Sequence, residues 1–216
     1  MIETCRFCKI LLEHSSGATT PEYDTVIFET KHFIVVPALG ALVSGYVMIV
    51  TKEHLDSIAY LDDAGFEEFI LLNQAVRTLQ RRLYGIAPIV FEHGSAVGCS
   101  NKSACCVDHA HVHIAPIHLS DENRIIQHAQ MKCLENIQAV RNYKDTPYML
   151  YINESNRCYI SADTILPSQY MRKWVAKEVD RPLEWDWRQF EFLDHVDATL
   201  RKMKGVELEG AECLLL

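Results

Sequence analysis

The sequence predicts an α+β protein in which helices pack on a mostly antiparallel sheet, followed by an α-rich C-terminal extension with a β-hairpin. Short apolar runs of strand length stand before and after one long amphipathic helix over residues 61–84. A strand with strict alternation follows at residues 109–116, and beyond it the pattern becomes mainly helical. We therefore expect a first domain over residues 1–120 and an extension over residues 121–216 packed on it.

Composition limits the classes of protein to consider. The chain has 216 residues, of which 49% are hydrophobic, and this is enough to bury a sizeable core. Its formal net charge of −8 lacks the basic footprint of a nucleic-acid-binding protein. No apolar run reaches membrane-spanning length, and residues 1–6 lack a signal-peptide core. We expect a cytoplasmic protein without nucleic-acid or membrane partners, whose neighbouring cysteines bind a metal rather than form disulfides.

The first half of the chain contains four strand signals and one clear helix signal. Runs rich in Val, Ile and Phe predict strands over residues 25–29, 33–36, 46–50 and 86–91. Within residues 61–84, apolar side chains recur at helical spacing, so this helix is expected to pack on the core. Asp62 or Asp63 can cap its start, and Gly85 can end it.

The second half predicts shorter elements. They are a helical tendency over residues 121–143, a hairpin of residues 148–152 and 157–160, a helix over residues 168–179 capped by Ser168, and a final helix over residues 190–203. Two segments rich in small and polar residues, 13–22 and 95–107, predict loops. Small residues in the second loop would let backbone N–H groups approach an anion.

A Cys-x-x-Cys motif stands near the start of the chain. Its turn brings the thiolates of Cys5 and Cys8 close enough to share one tetrahedral metal ion. Zinc normally has four ligands, so the others must come from elsewhere, and histidines are plentiful. A redox motif fits less well, because no strand precedes the pair and no helix pattern clearly follows it. Three later cysteines, Cys99, Cys105 and Cys106, form a competing metal set.

Three histidines alternate with small or apolar residues in the strand over residues 109–116. The period of two places His109, His111 and His113 on one face, roughly 7 Å apart per step. Histidine can serve there as a metal ligand, a nucleophile or a proton shuttle near neutral pH. A solvated polar strand face and a purely structural metal strand are the alternatives.

Three separated motifs together resemble the histidine-triad (HIT) superfamily. The His-x-His-x-His strand followed by two apolar residues is similar to its signature. Residues 5–10 resemble the N-terminal zinc motif of many HIT proteins, and residues 44–54 resemble their Pro-Gly-His-x-Leu-Val-Ile-Pro-Lys-x-His segment. The resemblance covers about residues 5–118. The tail around residues 167–172 and 184–187 is similar to the C-terminal extension of larger bacterial HIT-like proteins.

The resemblance implies a covalent mechanism at a phosphate. His111 would attack the α-phosphorus of a nucleotide, and water or another acceptor would resolve the nucleotidyl-histidine. A backbone carbonyl is expected to bind the other ring nitrogen of His111 and so fix its tautomer. His113 and backbone N–H groups of the preceding loop would bind the α-phosphate oxygens, with Ser103 and Cys106 as loop members nearby.

The resemblance also implies a structural zinc site. By position its ligands would be Cys5, Cys8, His54 and His109, a closed set without an open position. Such a site would fix the N-terminus to the strand that carries the nucleophile. Relatives usually dimerise, so a homodimer is expected, although the extension could take the place of the partner.

The sequence departs from the family pattern at the substrate pocket. Tyr46 replaces a histidine of the family, and Ala38 stands where many relatives carry an acid that holds the ribose. Glu92-His93-Gly94 replaces the usual Asn-x-Gly or Gln-x-Gly. Glu92 and Gly94 are counted among the substrate contacts, although a carboxylate would repel a phosphate unless protonated or paired.

The extension offers two further candidates for substrate binding. Gln169 and Arg172 are spaced i, i+3 on the helix predicted there, and arginine suits a phosphate. A solvated helix face is the alternative interpretation of the pair.

Two functions of different classes follow. The first is a nucleotide hydrolase or nucleotidyl transferase that acts on a dinucleoside polyphosphate, a nucleoside phosphoramidate or a nucleotide sugar. The second is a zinc-stabilised nucleotide-binding or interaction module with little turnover, because Tyr46, Ala38 and Glu92 alter the pocket. A covalent intermediate on His111 distinguishes them.

Overall fold

The computed structural model describes residues 5–96, 109–162, 166–211 and 214. Its strands are β1 (Phe28–Glu29), β2 (Phe33–Pro37), β3 (Val47–Thr51), β4 (Ile89–Gly94), β5 (His111–Ala115), β6 (Lys132–Cys133), β7 (Tyr148–Ile152) and β8 (Cys158–Ser161). Its α-helices are α1 (Arg6–Ser16), α2 (Asp63–Tyr84), α3 (Glu122–His128), α4 (Tyr170–Glu178) and α5 (Leu193–Met203). Among the described helices, none is both long enough and apolar enough to cross a membrane. The predicted α+β class is confirmed.

All strands join one antiparallel sheet in the order β1-β2-β3-β5-β4-β7-β8-β6. The histidine strand β5 lies between β3 and β4. The other side of β4 pairs with β7 over five residue pairs, from Val90↔Ile152 to Gly94↔Tyr148. The segment after residue 120 therefore continues the sheet rather than only packing on it. Its predicted hairpin is confirmed as β7 and β8.

Each face of the sheet buries its own apolar cluster. On one face, Phe69, Leu72 and Val76 of α2 pack with Val112 and Ile114 of β5. On the other face, a second cluster joins α1 and α4 to β2, β3 and β4. The period of two along each strand separates the two clusters.

The ends of α2 follow the sequence prediction. The Asp62 carboxylate accepts a hydrogen bond from Gly65 N at 2.7 Å, as an N-cap does. At the other end Gly85 adopts φ 72° and donates its N–H to Arg81 O. Glycine tolerates this left-handed conformation, which stops the helix.

The helix α1 corrects two sequence predictions. No helix pattern was expected after Cys5 and Cys8, and residues 13–22 were expected to be a loop, yet α1 runs to Ser16. Phe7 and Ile10 are its fully buried side chains, and their i, i+3 spacing places both on the sheet. Leu12, which directly follows the apolar Ile10 and Leu11, is 71% exposed, so the short apolar run does not mark one clear helical face.

Other boundaries also differ. The helical tendency over residues 121–143 corresponds to two separate segments, α3 and a 3₁₀ segment (Ile137–Tyr143), with the short strand β6 between them. Ser168 is not the cap of α4: Gln169 occupies that position with φ 58°, and its amide donates to Asp186 Oδ1 at 2.9 Å. The strands predicted over 25–29 and 86–91 lie at 28–29 and 89–94, and the last helix begins at Leu193.

Candidate active site

Strand β5 places His111 and His113 on the face opposite α2, while Val112 and Ile114 enter the core under that helix. Both imidazoles are half-buried. Across β3 the neighbours are Val50 for His111 and Met48 for His113. This surface, carried by β3, β5 and β4, is called the histidine face below.

The ring of His111 has a defined tautomer. Its Nδ1 lies 2.7 Å from the carbonyl oxygen of His109. A carbonyl only accepts, so Nδ1 carries the proton and Nε2 keeps its lone pair. The expected backbone partner is confirmed. Burial is the main cause that lowers the pKa of His111, and the Arg6 guanidinium lowers it further, so the ring is neutral at pH 7.

His113 is held by one hydrogen bond and one stacking contact. Its Nδ1 lies 3.1 Å from the Tyr46 hydroxyl, and its ring stacks on Phe91 at 4.6 Å between centroids. Burial raises the pKa of Tyr46 to about 12, against the lowering effect of the nearby Arg172 guanidinium. A phenol that keeps its proton can donate it to Nδ1 of His113, and in that tautomer Nε2 carries the ring proton. Burial, then His111 and Arg172, lower the pKa of His113 well below its usual value.

Sequence reasoning missed a third imidazole on this face. The β4–β5 register pairs Phe91 with His113, and His93, two residues further along β4, projects from the same face as Phe91. His93 is 9% exposed, and neither ring nitrogen has a hydrogen-bond partner among the described residues. Burial, followed by His111, lowers the pKa of His93 to about 4. Alternation along β4 with Phe91 was the signal that could have found it.

Glu92 faces the opposite side of the sheet, which corrects its assignment as a substrate contact. Its carboxyl group accepts hydrogen bonds from Ile58 N at 2.9 Å and from the Tyr148 hydroxyl. Burial raises the pKa of Glu92 to about 7 although both hydrogen bonds lower it. The structure does not bring this carboxyl to the histidine face, so the expected repulsion of a phosphate does not arise. Gly94 ends β4, where a side chain would collide with the Tyr148 ring.

The four predicted metal ligands come together at the start of β5. The ligand atoms of Cys5, Cys8, His54 and His109 all lie within 4.8 Å of one another. Three sulfur–nitrogen distances are 3.2, 3.4 and 3.6 Å. A tetrahedral zinc with ordinary bond lengths requires about 3.5 Å between such atoms. The donor set and its spacing fit a tetrahedral metal ion.

The second nitrogen of His109 supports the same interpretation. Its Nε2 lies 2.7 Å from Thr51 O, so Nε2 carries the proton and Nδ1 directs its lone pair into the cluster. Without a cation, burial and the neighbouring Cys5 raise the pKa of Cys8 to about 11. A metal ion supplies the positive charge that would favour both thiolates.

The remaining predicted residues are placed as follows. Ser103 and Cys106, like Cys99 and Cys105, lie outside the described residues. Arg172 is 4% exposed, and its guanidinium donates to Gly40 O at 2.6 Å and Trp185 O at 2.9 Å. Gln169 precedes α4 instead of sharing a helical face with Arg172. Protein groups bind the amide of Gln169 and two guanidinium nitrogens of Arg172. The guanidinium carbon of Arg172 lies 5.9 Å from the centre of the Tyr46 ring.

Comparisons with known proteins give likenesses of structure only. No family model matches the chain, and the comparison with curated proteins found no relative. Solved structures of histidine-triad proteins are similar to it. A Hit-like protein involved in cell-cycle regulation from Bartonella henselae has 14% identity and a TM-score of 0.43. The matched region covers 55% of this chain and 83% of that protein.

Two further solved structures, a hydrolase and a zinc-bound protein, are similar to this chain. A HIT family hydrolase from Clostridium thermocellum has 22% identity and a TM-score of 0.40, and the matched region covers 55% of this chain and 94% of that protein. A Zn-bound histidine triad family protein from Mycobacterium smegmatis has 19% identity and a TM-score of 0.41, covering 56% and 81%. These likenesses cover little more than half of the chain.

Proposed function

We propose that this protein is a nucleotide hydrolase or nucleotidyl transferase that works through a covalent nucleotidyl-histidine on His111. The observation that carries the proposal is the hydrogen bond from His111 Nδ1 to His109 O, because it leaves Nε2 as a lone-pair donor in a neutral, half-buried ring. An imidazole in that state needs no general base to act as a nucleophile.

The reaction takes place in two displacements at the α-phosphorus. The Nε2 lone pair of His111 forms a phosphorus–nitrogen bond, and the anhydride or phosphoramidate bond to the leaving group breaks. The leaving group departs with the electron pair and is protonated. Water then attacks the same phosphorus, the phosphorus–nitrogen bond breaks, and a nucleoside monophosphate and a proton are released; another acceptor in place of water makes the enzyme a transferase.

His113 is assigned to hold the phosphoryl oxygens. The Tyr46 hydroxyl directs its proton to Nδ1, so the Nε2–H of His113 is free to donate to an oxyanion. The stacked Phe91 ring keeps the imidazole upright on the strand. Tyr46 thus supports the site through His113.

The metal cluster is proposed to bind structural zinc. Two thiolates and two imidazoles from the start of α1, the end of β3 and the start of β5 would close all four positions. A bound zinc would hold the N-terminus against the strand of the nucleophile and would leave the reaction to the imidazoles. Homodimer formation and a cytoplasmic location stay predictions.

The test is intact-protein mass spectrometry after brief incubation with dinucleoside polyphosphates, nucleoside phosphoramidates and nucleotide sugars. We expect a mass increase of one nucleoside monophosphate, absent in His111→Ala. His118→Ala is the matched control, because His118 is an exposed histidine bonded to Glu154 far along the chain, and it should keep the adduct. An adduct that survives in His111→Ala would refute the nucleophile. Saturable nucleotide binding without adduct or turnover would favour the binding module.

A further inference from the structure

The histidine face carries an imidazole that the proposed two-step reaction does not yet use. His93 pairs with Met149 of β7 and follows Phe91, which pairs with His113 of β5, by two residues. Alternation along β4 therefore places its ring on the histidine face with the Phe91 ring, at 6.4 Å between centroids. His111 lies close enough to lower the pKa of His93.

The hydrogen-bonding state of His93 is unusual for a core histidine. Both Nδ1 and Nε2 are buried without a partner among the described residues, whereas His109, His111 and His113 each bind a protein group. The pKa of about 4 keeps the ring neutral, with one N–H to donate and one lone pair. Burying an imidazole in this state costs stability unless a polar group meets it.

Glu92, the residue before His93, does not contribute to the histidine face. Glu92 turns its carboxyl to the α2 face, where Ile58 N and Tyr148 bind it. Among the described polar side chains of β4, only His93 thus faces His111. His93 also affects the electrostatics of His113, so it stands near both imidazoles of the proposed reaction.

We infer that His93 is a substrate contact, whose N–H donates to a non-bridging oxygen of the phosphoryl group that His111 attacks. The inference rests on the proposed function and deepens it. The ligand class is a phosphate ester or anhydride held on two sides, by His113 along β5 and by His93 across β4. A phosphoryl oxygen gains charge as the phosphorus–nitrogen bond forms, so the hydrogen bond strengthens in the transition state.

The decisive variant is His93→Phe, which keeps the ring volume and removes both nitrogens. Because those nitrogens have no described protein partner, the variant is expected to fold with a Tm equal to or above that of the wild type. It should also keep its metal content. Its rate of adduct formation should fall about 100-fold, the usual effect of losing one oxyanion donor. His93→Gln, which restores an N–H, should recover part of that rate.

Binding provides a second readout. The probe is the nucleoside monophosphate whose mass the wild-type adduct reveals, and its Kd should rise about tenfold in His93→Phe and less in His93→Gln. The inference is overturned if His93→Phe forms the adduct at the wild-type rate. It is also overturned if the rate loss comes with a lowered Tm, since His93 would then serve the fold. A wild-type protein without any adduct would instead refute the proposed function.

Discussion

Adjacent residues of β4, Glu92 and His93, face opposite sides of the sheet and differ in their hydrogen bonding. On the α2 face, Glu92 and Arg77 are buried and bound by the protein: Arg77 donates to Pro88 O, Asn153 O and the Asn156 side chain. On the histidine face, one ring nitrogen of His111 and both of His93 have no hydrogen-bond partner in the part of the chain that the structure describes. Adjacent residues of β4 therefore serve opposite purposes. The bonded carboxyl of Glu92 serves the fold, and the unpaired imidazole of His93 is the group that we propose a substrate meets.

The largest effect is expected from the nucleophile. His111→Asn should lower kcat/KM by at least about 10⁴-fold, because loss of a covalent nucleophile removes the whole two-step route. Thermal unfolding should change little, since the ring makes one hydrogen bond to its own strand. The steady-state rate on the substrate that gives the adduct measures the effect. Full activity with an unaltered adduct would contradict the assignment.

The second largest effect is expected at the metal cluster, where loss of the ion should lower the stability of the fold. We expect about one zinc per chain by elemental analysis, and Cys8→Ser should lose it and destabilise the fold by roughly 3 kcal/mol, because a closed site contributes binding energy to folding. Cys133→Ser is the matched control, since this thiol is exposed and outside the cluster. Metal-free wild-type protein with an unchanged Tm would refute the site.

Glu92 should make stability fall with rising pH. Its pKa is about 7 in the folded chain and 4.5 in the unfolded chain, so the folded state holds the proton more tightly. The contribution is complete below about pH 4.5 and is lost as pH rises through 7, by roughly 3 kcal/mol. Glu92→Gln should flatten this part of the Tm profile, and Glu67→Gln, at an exposed site on α2, should not. If the Tm of the wild type and of Glu92→Gln changed in parallel with pH, the raised pKa of Glu92 would be contradicted.

Tyr46 offers a smaller change on the histidine face. Tyr46→Phe keeps the buried ring and removes the hydroxyl bonded to His113, so kcat/KM should fall about tenfold through poorer orientation of that imidazole. The adduct should still form on His111. A loss as large as that of His111→Asn would mean that Tyr46 itself takes part in the chemistry.

The smallest effect is expected at the start of α2. Asp62→Ala removes the cap on Gly65 N and should cost about 1 kcal/mol without changing activity. Denaturant unfolding measures the first expectation and the rate assay the second. An unchanged midpoint would show that the cap contributes nothing.

The features of the fold and of the candidate site that depend on local sequence patterns could be predicted from the sequence. Period-two alternation placed His111 and His113 together, and capping residues located both ends of α2. The face of the sheet on which the Glu92 side chain lies could not be predicted in the same way, because a shift of one residue along β4 exchanges the two faces. Once Phe91 pairs with His113, Glu92 is turned away and His93 takes its place.

Long-range contacts account for the other differences. The pairing of β4 with β7 joins residues about sixty apart, and no local signal specifies it. Gln169 lies outside α4 because Asp186 binds its amide, and Arg172 is held by carbonyls of Gly40 and Trp185. Both side chains had been interpreted from helical spacing alone, which carries no information on such partners.

One measurement tests the central claim most directly: the position of the covalent nucleotide on the chain. The wild-type adduct is quenched, digested at neutral to alkaline pH where phosphorus–nitrogen bonds survive, and mapped by fragment-ion mass spectrometry. The account predicts the added nucleoside monophosphate on His111, with His93, His109 and His113 unmodified. A nucleotide on any of those three histidines, or on a residue outside the histidine face, would contradict it.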